Sequence, residues 1–469
     1  MLRIRATAIL FFSAASLLLG HANAQTRGTV RLEPITCSPA PCVLPPTQAS
    51  EGGFFVNSPA IVADPLNPEH LLLGANDDNC PQGTGLLAAY TSNDGGSSWS
   101  SPFCMPDITE GVVMYLPAND ATVAFDRNGT GYVAGSYYHK YAVATGFVAF
   151  AKSSDGVNWS PPAAALEVPN SLTGYSWLAA DTSAASPYVN RLYVSAVVIG
   201  PPGQQYEDTV VVAHSSDGGV TWHQARVAPT QISPKMDFYT NIAIGKDGTV
   251  YLTWMYCNTG PNACGDDRAA MVFSKSSDGG NTWSSPTLMT VVVLNQEGIP
   301  NTSVGADNYP AIGVDNSNGP HSGNLYVSMY TWTGTYLRVQ IVRSTDGGTT
   351  WSQPVPVATA SDTHDQFFPW LSVSPRGLVG VSWLDRRNDP ANVDYQAFAA
   401  ISRDGGQTFQ PNVQLTTAFS NPDVNGYPPG WMGDYTGNTW AGPNYFIAAW
   451  MDSSNGVDMQ DVVGGIRLH

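Results

Sequence analysis

Lysine and glutamate are scarce in this 469-residue chain, at five and seven, and charged residues make up only 12 % of it. A chain so poor in good helix formers has little from which to build amphipathic helices. Cysteine is sparse too, at six residues. No two cysteines show the two-residue spacing of a zinc knuckle, so metal–thiolate chemistry is not expected. After residue 24 no apolar run approaches the length that crosses a bilayer as a helix. A Walker loop, a dinucleotide-binding glycine fingerprint after a strand, His-Glu-x-x-His and Gly-x-Ser-x-Gly are all missing, which argues against nucleotide-dependent chemistry.

What is plentiful points to strands and turns. The chain has 46 Gly, 35 Pro, 13 Trp and 21 Tyr, with 43 % apolar and 11 % aromatic residues. That content supplies a large buried core and separates the chain from acidic disordered sequences. The expected class is a globular all-β protein.

The start of the chain reads as an export signal. Arg3 and Arg5 precede an apolar run from Ala8 to Leu19, and Ala22-Asn23-Ala24 fits a small-residue cleavage site. Residues 1–24 are therefore expected to be a signal peptide, with a membrane anchor as the alternative, and the mature protein is expected to be secreted or periplasmic. Without Arg3 and Arg5 there remain 18 basic and 37 acidic residues, a net charge of −19. Such a surface repels nucleic acid and anionic membranes. Export also permits disulfides, and the six cysteines fall into near pairs: Cys37 with Cys42, Cys80 with Cys104, Cys257 with Cys264.

One pattern recurs six times: SNDGGSSW from Ser92, SSDGVNW from Ser153, SSDGGVTW from Ser215, SSDGGNTW from Ser276, STDGGTTW from Ser344 and SRDGGQTF from Ser402. The starts are 61, 62, 61, 68 and 58 residues apart. Locally this is a folding device: Ser and Asp satisfy turn amides, Gly-Gly accepts positive φ, and the aromatic ring packs under the turn. Around each copy the same short strands return, for instance Asn241–Ile244, Val250–Trp254, Ala270–Ser274 and Pro286–Val291. Four strands per repeat make a propeller blade. Inner strands align near Ala60, Ala121, Leu178, Ile242, Ala311, Leu371 and Thr436, so seven blades are expected, with six blades as the alternative. The seventh repeat stops one strand short. Residues 25–56 are expected to supply the missing strand, through Thr29–Leu32, to a propeller spanning 57–469, which removes an open sheet edge.

These boxes resemble the Asp-box, or BNR, repeats of the sialidase superfamily, over nearly the whole mature chain. The resemblance implies a β-propeller and an enzyme or binding protein that acts on glycans. Sialidases open their first inner strand with Phe/Tyr-Arg-Ile-Pro, whose Arg helps clamp a substrate carboxylate. The matching stretch here is Val56-Asn57-Ser58-Pro59-Ala60-Ile61, with Asn57 in the place of that Arg. The family nucleophile is a Tyr, and its counterpart by position is Tyr435.

In an antiparallel meander the boxes share one face of the ring, leaving the opposite face to the loops that enter each inner strand and to those joining second and third strands. Propeller ligands usually bind among such loops. They carry acids followed by aromatics, including Asp77, Asp120, Trp177, Asp237 with Tyr239, Asp307 with Tyr309, His364-Asp365, and Asp434-Tyr435. Aromatic faces stack on sugars, while carboxylates bind hydroxyls, move protons or hold calcium. The structural alternative is that each Asp caps a strand entry and each aromatic fills the ring. Asp434, Tyr435, Asp365 and Asp385 are the candidates for catalysis. Candidates for substrate binding are Arg386, Arg387, His364, Asp307, Tyr309, Asp237, Tyr239, Trp177, Asp120 and Asp77. Arg386 and Arg387, adjacent in a site-face loop, suit a uronate or sulfate, with an Asp–Arg brace as the alternative. Tyr138, His139 and His364 are candidate general bases.

The functional expectation is a secreted, sialidase-like glycoside hydrolase acting on an extracellular glycan through a central acidic and aromatic funnel. The sequence requires no cofactor and leaves calcium open. A non-catalytic glycan- or protein-binding propeller and a polysaccharide lyase are the alternatives.

Overall fold

Seven antiparallel sheets of four main strands account for nearly all regular structure in the computed structural model, which describes residues 41–81, 86–141, 145–200, 206–258, 264–358, 363–424 and 430–468. The inner strands of the seven blades are Val56–Ala63, Val113–Phe125, Leu172–Ala180, Met236–Ile244, Ala311–Val314, Gln366–Val373 and Gly437–Ala441. Each lies in or beside the place expected from the sequence. Blade 4 is representative, with Val250–Cys257, Arg268–Ser276 and Thr287–Val293 following its inner strand outward. Second strands such as Leu192–Ile199 (LYVSAVVI) are buried along almost their whole length, because neighbouring blades cover both faces and select a continuous apolar run.

The ring does close through an N-terminal strand, though not the expected one. Cys42–Gln48 pairs antiparallel with Gln460–Arg467 as the outermost strand of blade 7, with Cys42 opposite Arg467 and Gln48 opposite Val462. Thr29–Leu32 lies outside the described residues. Its TVRL alternation looks more strand-like than CVLPPTQ, whose two prolines remove ladder donors. An outermost strand tolerates prolines because one of its edges faces solvent.

The six repeated turns share one bonding scheme. In blade 5, Ser344 Oγ donates to Asp346 Oδ1 (2.8 Å) and accepts from Gly348 N (2.9 Å). Thr350 N and Oγ1 then donate to Asp346 Oδ1 (2.9 Å) and Oδ2 (2.6 Å). Each turn is also tied to the preceding blade. Lys275 Nζ donates to Gly347 O (2.7 Å), and Trp351 meets Phe273 at 5.4 Å between ring centres. Lys152 does the same for Gly218 (2.8 Å) and Arg343 for Gly405 (3.3 Å). The few basic side chains thus serve blade-to-blade docking.

Cys80–Cys104 joins the loop after the second strand of blade 1 to its outer strand, and Cys257–Cys264 links the second strand of blade 4 to the loop before its third. The Cys37–Cys42 pairing falls outside the described residues, because Cys37 does. On the face opposite the turns, blade 2 carries an extra short strand, Ile108–Glu110, against the start of its long inner strand, which raises a wall over the ring.

Candidate active site

Five inner strands break register near their start, and in each the bulged residue is not glycine yet has left-handed backbone: Ser58 (φ 55°), Asp120 (64°), Tyr175 (55°), Tyr239 (58°) and Phe368 (49°). Such backbone costs about 1–3 kcal/mol per residue and collects at functional sites, where a bulge re-aims one side chain. Tyr309 and Tyr435 hold the corresponding places before the remaining two inner strands. Side chains from different blades thereby meet at the axis. Ring centres lie 4.8 Å apart for Tyr175 and Tyr239, 4.5 Å for Tyr239 and Tyr309, and 5.1 Å for Tyr309 and Tyr435. Trp177 and Trp370 stand 4.7 Å apart and touch Tyr435 at 5.6 and 5.7 Å.

Three carboxyls share this aromatic cup. Asp307 and Asp434, from the loops entering blades 5 and 7, lie close enough to act on each other's protonation. Burial pushes both above the usual carboxylate range, and for Asp307 the neighbouring Asp434 charge adds to the effect. Two neighbouring carboxyls do not both ionise readily, so the pair resists losing its last proton. Tyr239 Oη donates to Asp307 Oδ1, and Trp431 Nε1 donates to Asp434 Oδ1 at 2.5 Å. Asp434 N donates to Ser58 Oγ (2.9 Å), which ties the loop to the bulge of blade 1.

Asp120 lies deeper, 1 % exposed. Burial first, then the charge of Asp434, raise it to about 7, against bonds from Ser176 and Ser136 that lower it. Its Oδ2 accepts from Ser136 Oγ and Ser176 N, both at 3.2 Å, while Oδ1 has no protein partner. The buried hydroxyl of Tyr309 is also unpartnered. A buried acceptor and a buried hydroxyl left open in one cup are what a ligand hydroxyl satisfies. Burial, reinforced by the surrounding carboxylates, holds the phenols of Tyr239, Tyr309 and Tyr435 well above their ordinary range. Tyr435 Oη donates to Ala121 O (3.1 Å), so this phenol is a neutral donor.

Of the residues singled out from sequence, Asp120, Trp177, Tyr239, Asp307, Tyr309, Asp434 and Tyr435 come together here. The others are placed elsewhere. Asp365 and Arg386, both without exposed side-chain surface, pair at 3.3 Å, and Arg386 Nη1 also donates to Pro300 O (2.6 Å). Asp385 takes Arg387 Nη2 (2.6 Å) and Trp383 Nε1 (2.7 Å). Asp365 and Asp385, expected to perform catalysis, and Arg386 and Arg387, expected to reach substrate, are thus paired with one another, the arrangement of the bracing alternative. The loop folds back on itself, and burying an arginine demands an ion partner. His364 precedes Asp365 on this braced entry. Asp77 is buried beneath Asn79 and Tyr90. Asp237 binds Trp254 Nε1 (2.9 Å) and faces Asp208, whose charge joins burial in raising it to about 8. Tyr138 donates to Asn119 Oδ1 (3.1 Å), and His139 packs on Tyr115 in the wall of blade 2.

Behind Trp177 and Trp370, toward the turn face, lies a cavity of about 300 Å³ lined by Ile61, Phe125, Leu178, Asp181, Ile312 and Asn438 among others. The two indoles also line it. Among the described residues no group of three or more acidic, histidine or cysteine side chains is arranged to hold a metal ion, and no helix is long and apolar enough to cross a membrane.

No family model matches the chain. It is 25 % identical over 311 residues, 63 % of its length, to a xyloglucanase from a Paenibacillus species, and it spans 26 % of that protein. The chain thus spans about a quarter of the length of the curated relative it matches. Among solved structures it is similar to a protein of unknown function from Dyadobacter fermentans (TM-score 0.49, 14 % identity, 92 % of this chain and 100 % of that one). It is similar also to an α-L-arabinofuranosidase from Fusarium graminearum (0.49, 10 %, 91 % and 98 %) and to an intramolecular trans-sialidase from Ruminococcus gnavus (0.39, 14 %, 75 % and 94 %).

Sequence reasoning missed Ser58, Ser136, Ser176 and Trp431, which position the carboxyls, and left Trp370 unassigned. A signal was available for the bulges. Ser58 and Phe368 each precede a proline at the strand entry, and proline at that place removes a ladder donor where the register breaks.

Proposed function

We propose that this protein is a glycoside hydrolase of the Asp-box propeller type, exported from the cell, with Asp307, Asp434 and Asp120 as its working groups. The observation that carries the reading is the meeting of Asp307, Asp434 and Asp120 in one aromatic cup, where Asp120 Oδ1 is buried without a protein partner and burial pushes all three upward, Asp120 to about 7. Groups whose environments push their titrations apart divide into acid and base. The pair gives its proton to the glycosidic oxygen as the carbon–oxygen bond breaks. Ionised Asp120 takes a proton from the water that adds to the sugar carbon. The tyrosine ring and Trp177 offer faces for sugar stacking. The similarity to a xyloglucanase supports the class.

A lyase needs a cation to neutralise a uronate, and the adjacent arginines of the sixth blade are committed to Asp365 and Asp385. The binding-only alternative is separated by product. The test is incubation of the full chain, expressed for export, with polysaccharides, and mass spectrometry of what is released. Sugar carrying one added water, lost with Asp434→Asn by 10²–10⁴-fold at unchanged melting temperature, is the expected result. Saturable binding without product overturns catalysis.

A further inference from the structure

We infer that the funnel takes uncharged sugar chains and rejects those carrying a carboxylate at the cleaved residue, an inference that rests on the hydrolase reading for its site. Desolvation is the largest influence on Asp120, Asp307 and Asp434; the charge of Asp434 acts on Asp120, and those of Asp434 and Asp120 act on Asp307. The place where an arginine would meet a substrate carboxylate is filled by Asn57. It is 1 % exposed, and its Oδ1 already accepts from Ser58 Oγ (2.9 Å) and Asn76 Nδ2 (3.2 Å).

Several basic side chains are engaged away from the cup. Lys152, Lys275 and Arg343 hold turns on the opposite face, and Arg386 and Arg387 hold Asp365 and Asp385. Lys140, Lys235 and Arg268 lie exposed at the loops of the ligand face, and among the described residues the ion pairs of Arg386 and Arg387 go to Asp365 and Asp385, not to the three cup carboxyls. A second carboxylate entering this cup meets like charge with no ion-paired cation beside it, a repulsion strengthened by burial. Uncharged hydroxyls suit it instead: the open Asp120 Oδ1 accepts from them, and the unpartnered Tyr309 hydroxyl donates to or accepts from them.

The test compares matched chains that differ in charge alone, polygalacturonate against its fully methyl-esterified form, alongside xyloglucan, linear arabinan and 3′-sialyllactose. Product release and binding to the full chain are measured for each at pH 7.5. The expected result is action on one or more uncharged chains, with any carboxylated counterpart at least about a hundredfold poorer in kcat/KM. Cleavage of sialyllactose or polygalacturonate at a comparable rate overturns the inference and leaves the hydrolase reading standing. Binding of uncharged chains without product overturns the hydrolase reading and supports the charge preference. Failure to bind or cleave any of the five overturns both.

Discussion

The carboxyl of Asp307, entering blade 5, lies close enough to the carboxyl of Asp434, entering blade 7, for each to act on the other's protonation, although 127 positions separate them in the chain. The contact bridges across blade 6 over the axis, and Tyr239 from blade 4 donates into it. Three blades therefore converge on this pair. The expected consequences can each be measured.

The rate should follow pH with an acid limb near 7, where Asp120 loses its proton, and an alkaline limb set by the Asp307–Asp434 pair. The bond from Ser136 lowers Asp120, so Ser136→Ala moves the acid limb upward. Asp434→Asn removes the like charge and moves it downward in whatever activity remains. A pH profile of kcat/KM checks both signs, and an unmoved limb in both variants removes Asp120 from the base role.

Gly433 has φ 113°, and a Cβ there would meet Asn57 Cβ at 3.0 Å and Ser58 N at 3.1 Å. Gly433→Ala should displace Asp434 from the Asp307 contact, lowering kcat at least tenfold with little change in KM. Steady-state kinetics and a melting curve on the same sample separate displacement from unfolding.

Trp370 is 6 % exposed and packs on Trp177 and Tyr435. Trp370→Ala should destabilise the protein by about 3–5 kcal/mol in chemical denaturation and enlarge the cavity that its indole lines.

Asp461 has no exposed surface, both its carboxyl oxygens lack partners, and its backbone oxygen accepts from Ala49 N (2.9 Å) just after the closing strand. Burial, then the Asp77 charge, push it well above the ordinary range. The folded state thus holds a proton that the unfolded chain releases near pH 4, and stability falls as pH rises from there. Asp461→Asn should flatten the decline in melting temperature between pH 5 and 8. An unchanged decline would assign that pH dependence to other groups.

The turn aspartates act in the opposite sense. Bonds from the Thr350 side chain and backbone hold Asp346 at about 2, so its contribution is complete above pH 4 and is lost as pH falls toward 2. Because the carboxylate is solvent-exposed the effect is small. Asp346→Asn should leave melting at pH 7 nearly unchanged and reduce the acid-side slope, read from melting curves at pH 2 to 4.

Much of the fold was legible because its determinants are local and repeated. Six Ser-x-Asp-Gly turns and alternating short apolar runs mark where each blade turns and where its strands lie. The closing strand was not legible at residue resolution, since an edge strand with two prolines in CVLPPTQ is weaker in pattern than TVRL. Within the site, Asp120, Asp307, Asp434 and their tyrosines stood out because acids beside aromatics recur at strand entries. Arg386 and Arg387 stood out equally, and the structure pairs them with Asp365 and Asp385. Adjacency in sequence records a loop's composition, whereas burial and pairing decide whether its charges reach a ligand.

Composition, repeat spacing and turn chemistry by themselves determined an all-β ring of seven blades, because each blade is specified by hydrogen bonds and apolar periodicity within about sixty residues. Only the tertiary structure decided which acids meet. Bulges with left-handed Ser58, Asp120, Tyr175, Tyr239 and Phe368 turn side chains toward the axis, and closure of the ring brings Asp434 against Asp307. A titration near 7 for Asp120 follows from desolvation and a neighbouring charge, and both exist only when distant blades converge.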